Sequence, residues 1–343
     1  MKTDDLVSVI IVNWNGRDWL QACLESIKSQ TYPSIEIILV DNASTDGSLD
    51  FVRRHHPEAS VVECEENLGY AGGNNRGICE AKGKYVFLLN NDTKSEPDVV
   101  EKMVEAFDKI PLLGSVNPRI TLMGSPDLLD NTGSFWTSTT YLYHYGFGQD
   151  RNSPEYDKAF PVFYNNGAAM IIRRELIETV GALDEDFWCY NEEGDFCQRL
   201  WIAGYECWYY PESTVAHAKG ASSSRFENPY VQFHAHKNRL MSYVKNFEAW
   251  TLVKVLPVYL AVNFTLSAYW LLKGETGLAA AFYKALWWNL IHIRGTLRKR
   301  ASVQSFRCKL DKDIFSIVKN NPSIGYYYRF IASSFSGITL RRT

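Results

Sequence analysis

A chain of 343 residues is long enough for a large core and for more than one domain. Its 46% apolar and 22% charged composition is that of an ordinary globular protein, and a net charge of −3 excludes the basic field that nucleic-acid binding needs. Seven cysteines with no C-x-x-C pair and no zinc spacing point to structural thiols in a reducing, cytoplasmic setting.

The opening "MKTDDLVSVIIVNWNG" carries only a short apolar run after two aspartates, which reads as a first strand and not as a signal peptide. "VSVIIV" (7–12) is continuous and β-branched, as expected of a strand buried on both faces. Trp19, Leu20, Cys23, Leu24 and Ile27 then recur at helical spacing. Strands follow at 35–41, 60–65 and 85–90, with helices at 48–56 and 72–83 between them. This β-α-β-α-β-α-β order predicts a parallel, doubly wound sheet, whose ligands bind beyond the carboxyl ends of the strands. The loops to read are therefore 13–16, 41–47, 67–75 and 90–92. The middle of the chain, about 115–235, mixes short strands, glycines and aromatics and reads as the remainder of the same domain, with a short helix at 173–181 stopped by Gly181.

"VDNASTDGS" (40–48) ends a strand on Asp41, which can accept a hydrogen bond from a nucleobase imide. Trp14 could cover that base, or serve as a core aromatic. "NLGYAGGNNRG" (67–77) has neither the Walker nor the dinucleotide spacing, so a diphosphate, a sugar or a structural turn all remain open. Asn90-Asn91-Asp92 sets one carboxylate beside two amides. That suits a divalent ion also held by a diphosphate, and it equally suits a turn. Glu192, Glu193 and Asp195 crowd among Trp188, Tyr190 and Phe196. Acids so placed can have raised pKa values, as a general base requires, and they also suit a helix N-terminus. His217, after an apolar run and before a Gly/Ser loop, could be a further metal ligand.

In one order, "VSVIIVNWNG", "IILVDNASTDGS", "NLGYAGGNNRG", "FLLNNDT", "YNNGAAMIIRRELIETVGALDEDFW", "YNEEGDFCQRLWIAGYECWYYPESTVAHAKGAS" and "HKNRL" resemble the family 2 glycosyltransferases over about residues 6–240, and most closely their rhamnosyltransferase-like branch. The resemblance implies the α/β GT-A fold for 1–240, a mixed, mostly parallel sheet that binds nucleotide sugars, and an inverting transfer. It places Val12, Trp14, Asp41, Asn74, Asn90, Asn91, Asn166 and Gly167 on a UDP- or dTDP-sugar donor. Asp92 and His217 would hold Mg²⁺ or Mn²⁺. Glu193 stands where the family has its catalytic Asp, one methylene longer, with Glu192 and Asp195 as assisting acids. Two other readings stay beside it: a sugar-nucleotide-binding protein without transfer, and a nucleotidyltransferase that makes the sugar nucleotide.

From Ala249 the character changes. The runs 255–272 and 277–293 are nearly free of charge, and "RGTLRKR" (294–300) follows. Pro257, Asn263 and Lys284 argue against simple spanning helices. The region 241–343 is read as helices that lie on a membrane surface or dip into it, with a packed soluble hairpin as the alternative. Members of the family the chain resembles that carry such a tail often add sugars to lipid-linked acceptors. The expected acceptor is thus a saccharide, polyprenyl-diphosphate-linked, met at the inner face of the plasma membrane, and an oligomer stays open.

Overall fold

The computed structural model describes residues 5–219 and 228–327. The first half alternates as expected: β1 (Val7–Asn13), α1 (Arg17–Lys28), β2 (Ile35–Asp41), α2 (Ser48–His55), β3 (Ser60–Glu63), α3 (Gly69–Glu80), β4 (Tyr85–Asn90), β5 (Thr93–Ser95) and α4 (Val99–Lys109). Then come β6 (Leu113–Leu122), β7 (Ser125–Leu129), β8 (Ser134–Phe135), β9 (Tyr143–His144), β10 (Phe160–Pro161), β11 (Ala169–Arg173), α5 (Glu175–Val180), α6 (Glu192–Ile202) and β12 (Glu206–His217). Five further helices close the described chain: α7 (Asn228–Asn246), α8 (Ala249–Leu272), α9 (Thr276–Ile291), α10 (Ile293–Ser305) and α11 (Asp311–Val318).

The main sheet runs β10-β12-β6-β11-β4-β1-β2-β3. β1 lies parallel to β2 and β4, and β2 to β3, while β11 inserts antiparallel between β4 and β6. The pleat explains the apolar runs. Ile10, Ile38, Val40, Val86 and Leu88 enter one core, and Val9, Ile11, Leu39, Phe87 and Leu89 enter the core on the opposite face. Register brings Asn13 beside Asp41 and Val12 beside Asn90, so three strand ends meet at one edge.

Two expectations change. The glycine-rich stretch is not a free loop, because α3 begins at Gly69. A Cβ on Gly77 would lie 2.4 Å from Ile10 Cγ2, and one on Gly73 would lie 2.7 Å from Val12 Cγ1. These glycines let the helix lie close on the sheet. The basic segment 294–300, which by sequence would face anionic lipid, is half engaged within the fold as part of α10: Lys299 pairs with Asp184 and with Asp186, and Arg300 donates to Val244 O and Phe247 O. Arg294 and Arg298 stay exposed.

The C-terminal helices share the core that covers α6. Val255, Tyr259, Phe282, Val303, Ile314 and Val318 join one apolar cluster with Ile10, Phe196 and Trp201. The expected boundary at 240 falls inside α7. Helix α8 is one 24-residue element with Pro257 in it, and among the described residues it alone is long and apolar enough to cross a membrane.

Candidate active site

Parallel strands that end together leave a crevice at their carboxyl edge. Here the crevice is about 340 Å³. Its floor is Val12 and Trp14 after β1, Asn90, Asn91 and Asp92 after β4, and Asn166 and Gly167 before β11. Its rim takes Glu192 and Glu193 from α6 and His217 from the end of β12. Asp92 and Glu193, a hundred positions apart in the chain, thus face one space.

One end is built around Asp92. Its Oδ1 lies 3.3 Å from His217 Nε2, and the other ring nitrogen, Nδ1, lies 2.9 Å from Asp130 Oδ2. Asp130 also receives Lys219 Nζ at 2.6 Å and Asn166 Nδ2 at 3.3 Å. Burial alone would lower the His217 pKa. The hydrogen bonds to Asp130 and Asp92 outweigh it and raise the imidazole to about 9. Burial would likewise raise Asp130, yet Lys219 and His217 hold it well below the usual carboxylate range. A histidine fixed through its second nitrogen by a carboxylate is the usual support of a metal ligand. Among the described residues no group of three or more His, Cys, Asp or Glu gathers as an ion site. Asp92 and His217 offer one carboxylate and, once the imidazole gives up its proton, one ring nitrogen, donors of the kind an ion uses when substrate and water supply its remaining oxygens, as Mg²⁺ does.

The other end is the first turn of α6. Burial raises the Glu193 carboxyl. Burial and then the neighbouring Glu193 raise Glu192 further, and its Oε2 has no hydrogen-bond partner. The chain enters this turn in strain: Trp188, Tyr190 and Asn191 have φ of 60°, 73° and 69°. Non-glycine residues hold such angles only where neighbours enforce them. The enforcement comes from α7, where Asn238 Nδ2 lies 3.0, 2.8 and 2.6 Å from the carbonyls of Phe187, Cys189 and Tyr190. Tyr70, on α3, donates to Gly167 O at 2.7 Å, and burial and the two glutamates push its phenol up, so it stays a neutral donor.

Three expected residues stand elsewhere. Asp195 is fully buried, with Arg199 at 2.9 Å, Lys245 at 2.8 Å and Asn246 at 2.8 Å. It lies about 200° around the helix from Glu193 and does not line the crevice, so it is a structural anchor and not an assisting acid. Asn74 is buried and donates to Tyr70 O within α3. Asp41 is buried behind the crevice wall, accepting from Ser44 N at 3.0 Å and from Asn13 Nδ2 at 3.4 Å. Conversely, Asn42, Tyr70, Asp130 and Lys219 were not singled out from sequence. Asn42 braces the start of α3 by bonds to Asn67, Leu68 and Gly69. The Gly/Ser residues after His217, 220–223, lie outside the described residues.

The chain resembles known proteins in sequence and in fold. The profile described as glycosyl transferase family 2 matches residues 8–181. N-acetylglucosaminyl-diphospho-decaprenol L-rhamnosyltransferase of Mycobacterium tuberculosis (strain CDC 1551 / Oshkosh) is 26% identical over 271 residues, 72% of this chain and 86% of that protein. GalNAc-T7, solved with UDP, GalNAc and Mn²⁺, superposes with a TM-score of 0.58 at 17% identity, over 73% of this chain and 50% of that one. The mannosyltransferase PcManGT of Pyrobaculum calidifontis, solved with GDP-Man and Mn²⁺, gives 0.53 at 18% identity over 84% and 87%. The doubly wound, mostly parallel sheet is thus that of the GT-A glycosyltransferases, and with a family profile spanning half its length the chain belongs to glycosyl transferase family 2.

Proposed function

We propose that this glycosyltransferase moves a hexose, rhamnose or another, from a UDP- or dTDP-sugar to a saccharide carried on a polyprenyl diphosphate, with inversion, during assembly of a surface or cell-wall glycan. One observation carries the reading: Asp92 with His217, and a partly desolvated Glu193, line one crevice. Asp92 and His217 would hold Mg²⁺ or Mn²⁺, with Asp130 fixing the imidazole. When bound, the ion supplies positive charge against the diphosphate as it departs. Glu193 removes the proton of the acceptor hydroxyl, whose oxygen attacks the anomeric carbon from the face opposite the leaving group. One displacement inverts that carbon and needs only one base.

The mycobacterial relative, by its name, acts on a diphospho-decaprenol, which supports the lipid-linked acceptor. Exposed Trp250, Val253, Leu272, Trp287 and Leu290 on α8 and α9 support a peripheral seat on the inner face of the membrane. The test is thermal shift of the full-length protein against UDP-, dTDP- and GDP-sugars with Mg²⁺ or Mn²⁺, followed by transfer to a prenyl-diphosphate saccharide. A UDP or dTDP donor should stabilise only with the ion present. A protein that no nucleotide sugar stabilises, with either ion, contradicts the proposal.

A further inference from the structure

The segment that leads into Glu193 also brings Trp188 and Glu192 into the crevice, and the transfer proposed above uses neither. Trp188 stands at the centre of a tight three-residue turn: its φ and ψ are 60° and −62°, and Cys189 N donates to Phe187 O at 2.7 Å. Such a turn is rare and strained for a residue with a side chain. The indole is nonetheless fixed. Ala71 N donates to the Trp188 carbonyl at 3.1 Å, the indole Nε1 donates to Asn67 O at 3.2 Å, and the His234 ring lies 5.4 Å from the indole, centre to centre. A half-buried indole held in this way is a rigid apolar plate in the crevice wall.

Glu192 lines the same crevice although it is only 4% exposed, and among the described residues its Oε2 has no hydrogen-bond partner. An unpaired buried polar atom costs stability, and in a native structure it calls for a reason. The nearby Tyr70 does not supply one, because it spends its hydroxyl proton on Gly167 O. Burial and then Glu193 raise the Glu192 carboxyl well above the usual carboxylate range, so it offers an O–H beside its carbonyl oxygen and can meet a sugar hydroxyl in either sense. Position decides which sugar. The acceptor oxygen must come to Glu193, and Trp188 and Glu192 stand on that residue's own turn. The groups expected at the donor's base and diphosphate, Trp14 and Asp92, follow β1 and β4 instead. A pyranose presents a face of C–H bonds edged by hydroxyls, which matches a plate beside a hydrogen-bonding group.

We propose that Trp188 and Glu192 form the acceptor-sugar subsite, the indole carrying the C–H face of a pyranose and the Glu192 carboxyl holding one of the hydroxyls that does not react. This rests on the saccharide acceptor proposed above and adds the residues that select it.

The experiment is a saturation-transfer NMR titration of the full-length protein, with saturating UDP or dTDP and Mg²⁺. The probes are the methyl pyranosides of N-acetylglucosamine, glucose, galactose and rhamnose, and the monodeoxy forms of the tightest binder. Loss of one hydroxyl should weaken that glycoside about ten-fold, the effect of stranding a buried polar partner. In Glu192→Met the penalty should vanish, parent and deoxy forms binding alike, whereas Glu192→Gln, whose amide still donates and accepts, should retain it. Trp188→Leu should weaken every glycoside about ten-fold and Trp188→Phe less than about three-fold, as loss and retention of a stacking ring predict. Monodeoxy forms that all bind the unaltered protein like the parent overturn the proposal whether or not any variant folds. So does a hydroxyl penalty that survives in Glu192→Met, or glycoside binding that Trp188→Leu leaves untouched. Loss of nucleotide binding in a folded Trp188→Leu places the indole on the donor and overturns it too. A protein that binds nucleotide but no methyl pyranoside refutes the subsite alone. One that shows the expected pattern but transfers no sugar refutes the function proposed above and leaves the subsite standing.

Discussion

Glu193→Gln separates the two neighbouring acids. The amide keeps the size and the crevice lining of the side chain but cannot take a proton. A positioned general base contributes about 10² to 10⁴ in rate, so kcat should fall by that factor, about 3–5 kcal/mol of barrier. Donor affinity should hold within about two-fold, because Glu193 forms no ion pair with the Asp92 and His217 pair that would hold the donor's diphosphate through an ion. The pH profile sharpens the test. Burial raises the Glu193 carboxyl above its ordinary value, so the wild-type rate should rise with pH through an apparent pKa above 4.5 that belongs to the coupled pair. In Glu193→Gln the charge that raises Glu192 is gone, and Glu192 ionises more readily. The assay is single-turnover transfer with saturating donor from pH 4.5 to 9. A variant that keeps more than about a tenth of the wild-type rate, with its acid limb moved to lower pH, would make Glu192 the base and refute the assignment.

Asp195→Ala removes the anion from a buried network with Lys245 and Arg199. The cost should be near the lower end of about 3–5 kcal/mol, because Lys245 keeps Asp184 at 2.7 Å and Arg199 keeps the carbonyls of residues 180–182. Urea unfolding reads it, and lost transfer at unchanged stability would return Asp195 to the chemistry. Gly77→Val should cost about 1–3 kcal/mol by overpacking α3 on Ile10, with donor binding preserved at temperatures where the variant is folded. Asn238→Ala withdraws the bonds that hold the 187–190 turn; kcat should drop about ten-fold or more with little change in nucleotide affinity, since a misplaced base is a loss of orientation. Paired Trp287→Glu and Leu290→Glu should move the protein from the membrane pellet to the supernatant, and wild-type protein already free of membranes would contradict the peripheral seat.

The alternating strands and helices were legible because strands covered on both faces leave continuous apolar runs, as 7–12 and 85–90 do. That Asp92, His217 and Glu193 would face one crevice was legible because each stands where a motif ends on a strand or opens a helix. The start of α3 was not. Glycine is a poor helix former, and the purpose of Gly73 and Gly77 lies in Val12 and Ile10, sixty residues or more away in the chain. Asp130 has no local signature at all. It reaches His217 only because β12 pairs with β6, setting His217 beside Leu122, and because the β6–β7 hairpin returns the chain to Asp130. Asp195 misled because it is close to Glu193 in sequence, whereas positions two apart on a helix face away from each other.

The C-terminal helices acquire a second purpose from these contacts. Read from composition, they look like an attachment to a membrane, separable from the catalytic domain. In the fold, α7 supplies Asn238 to the strained turn before Glu193, Lys237 to the Asp186 carbonyl at 2.6 Å, and Lys245 and Asn246 to Asp195 beneath α6. Helices α9 and α10 pack on α7 in turn, and Asn289 donates to the Lys237 carbonyl at 3.1 Å. The segment "HKNRL" is therefore where the extension grips the catalytic turn. A positive-φ run such as Tyr190-Asn191 costs about 1–3 kcal/mol per residue, and the same contacts that offset this cost fix the base within reach of the crevice. Helix α9 packs both on α8 and on α7, the element whose Asn238 holds the turn before Glu193. On the function proposed above, membrane attachment and positioning of the base become two loads on one helix, and removing the tail should remove the activity with it.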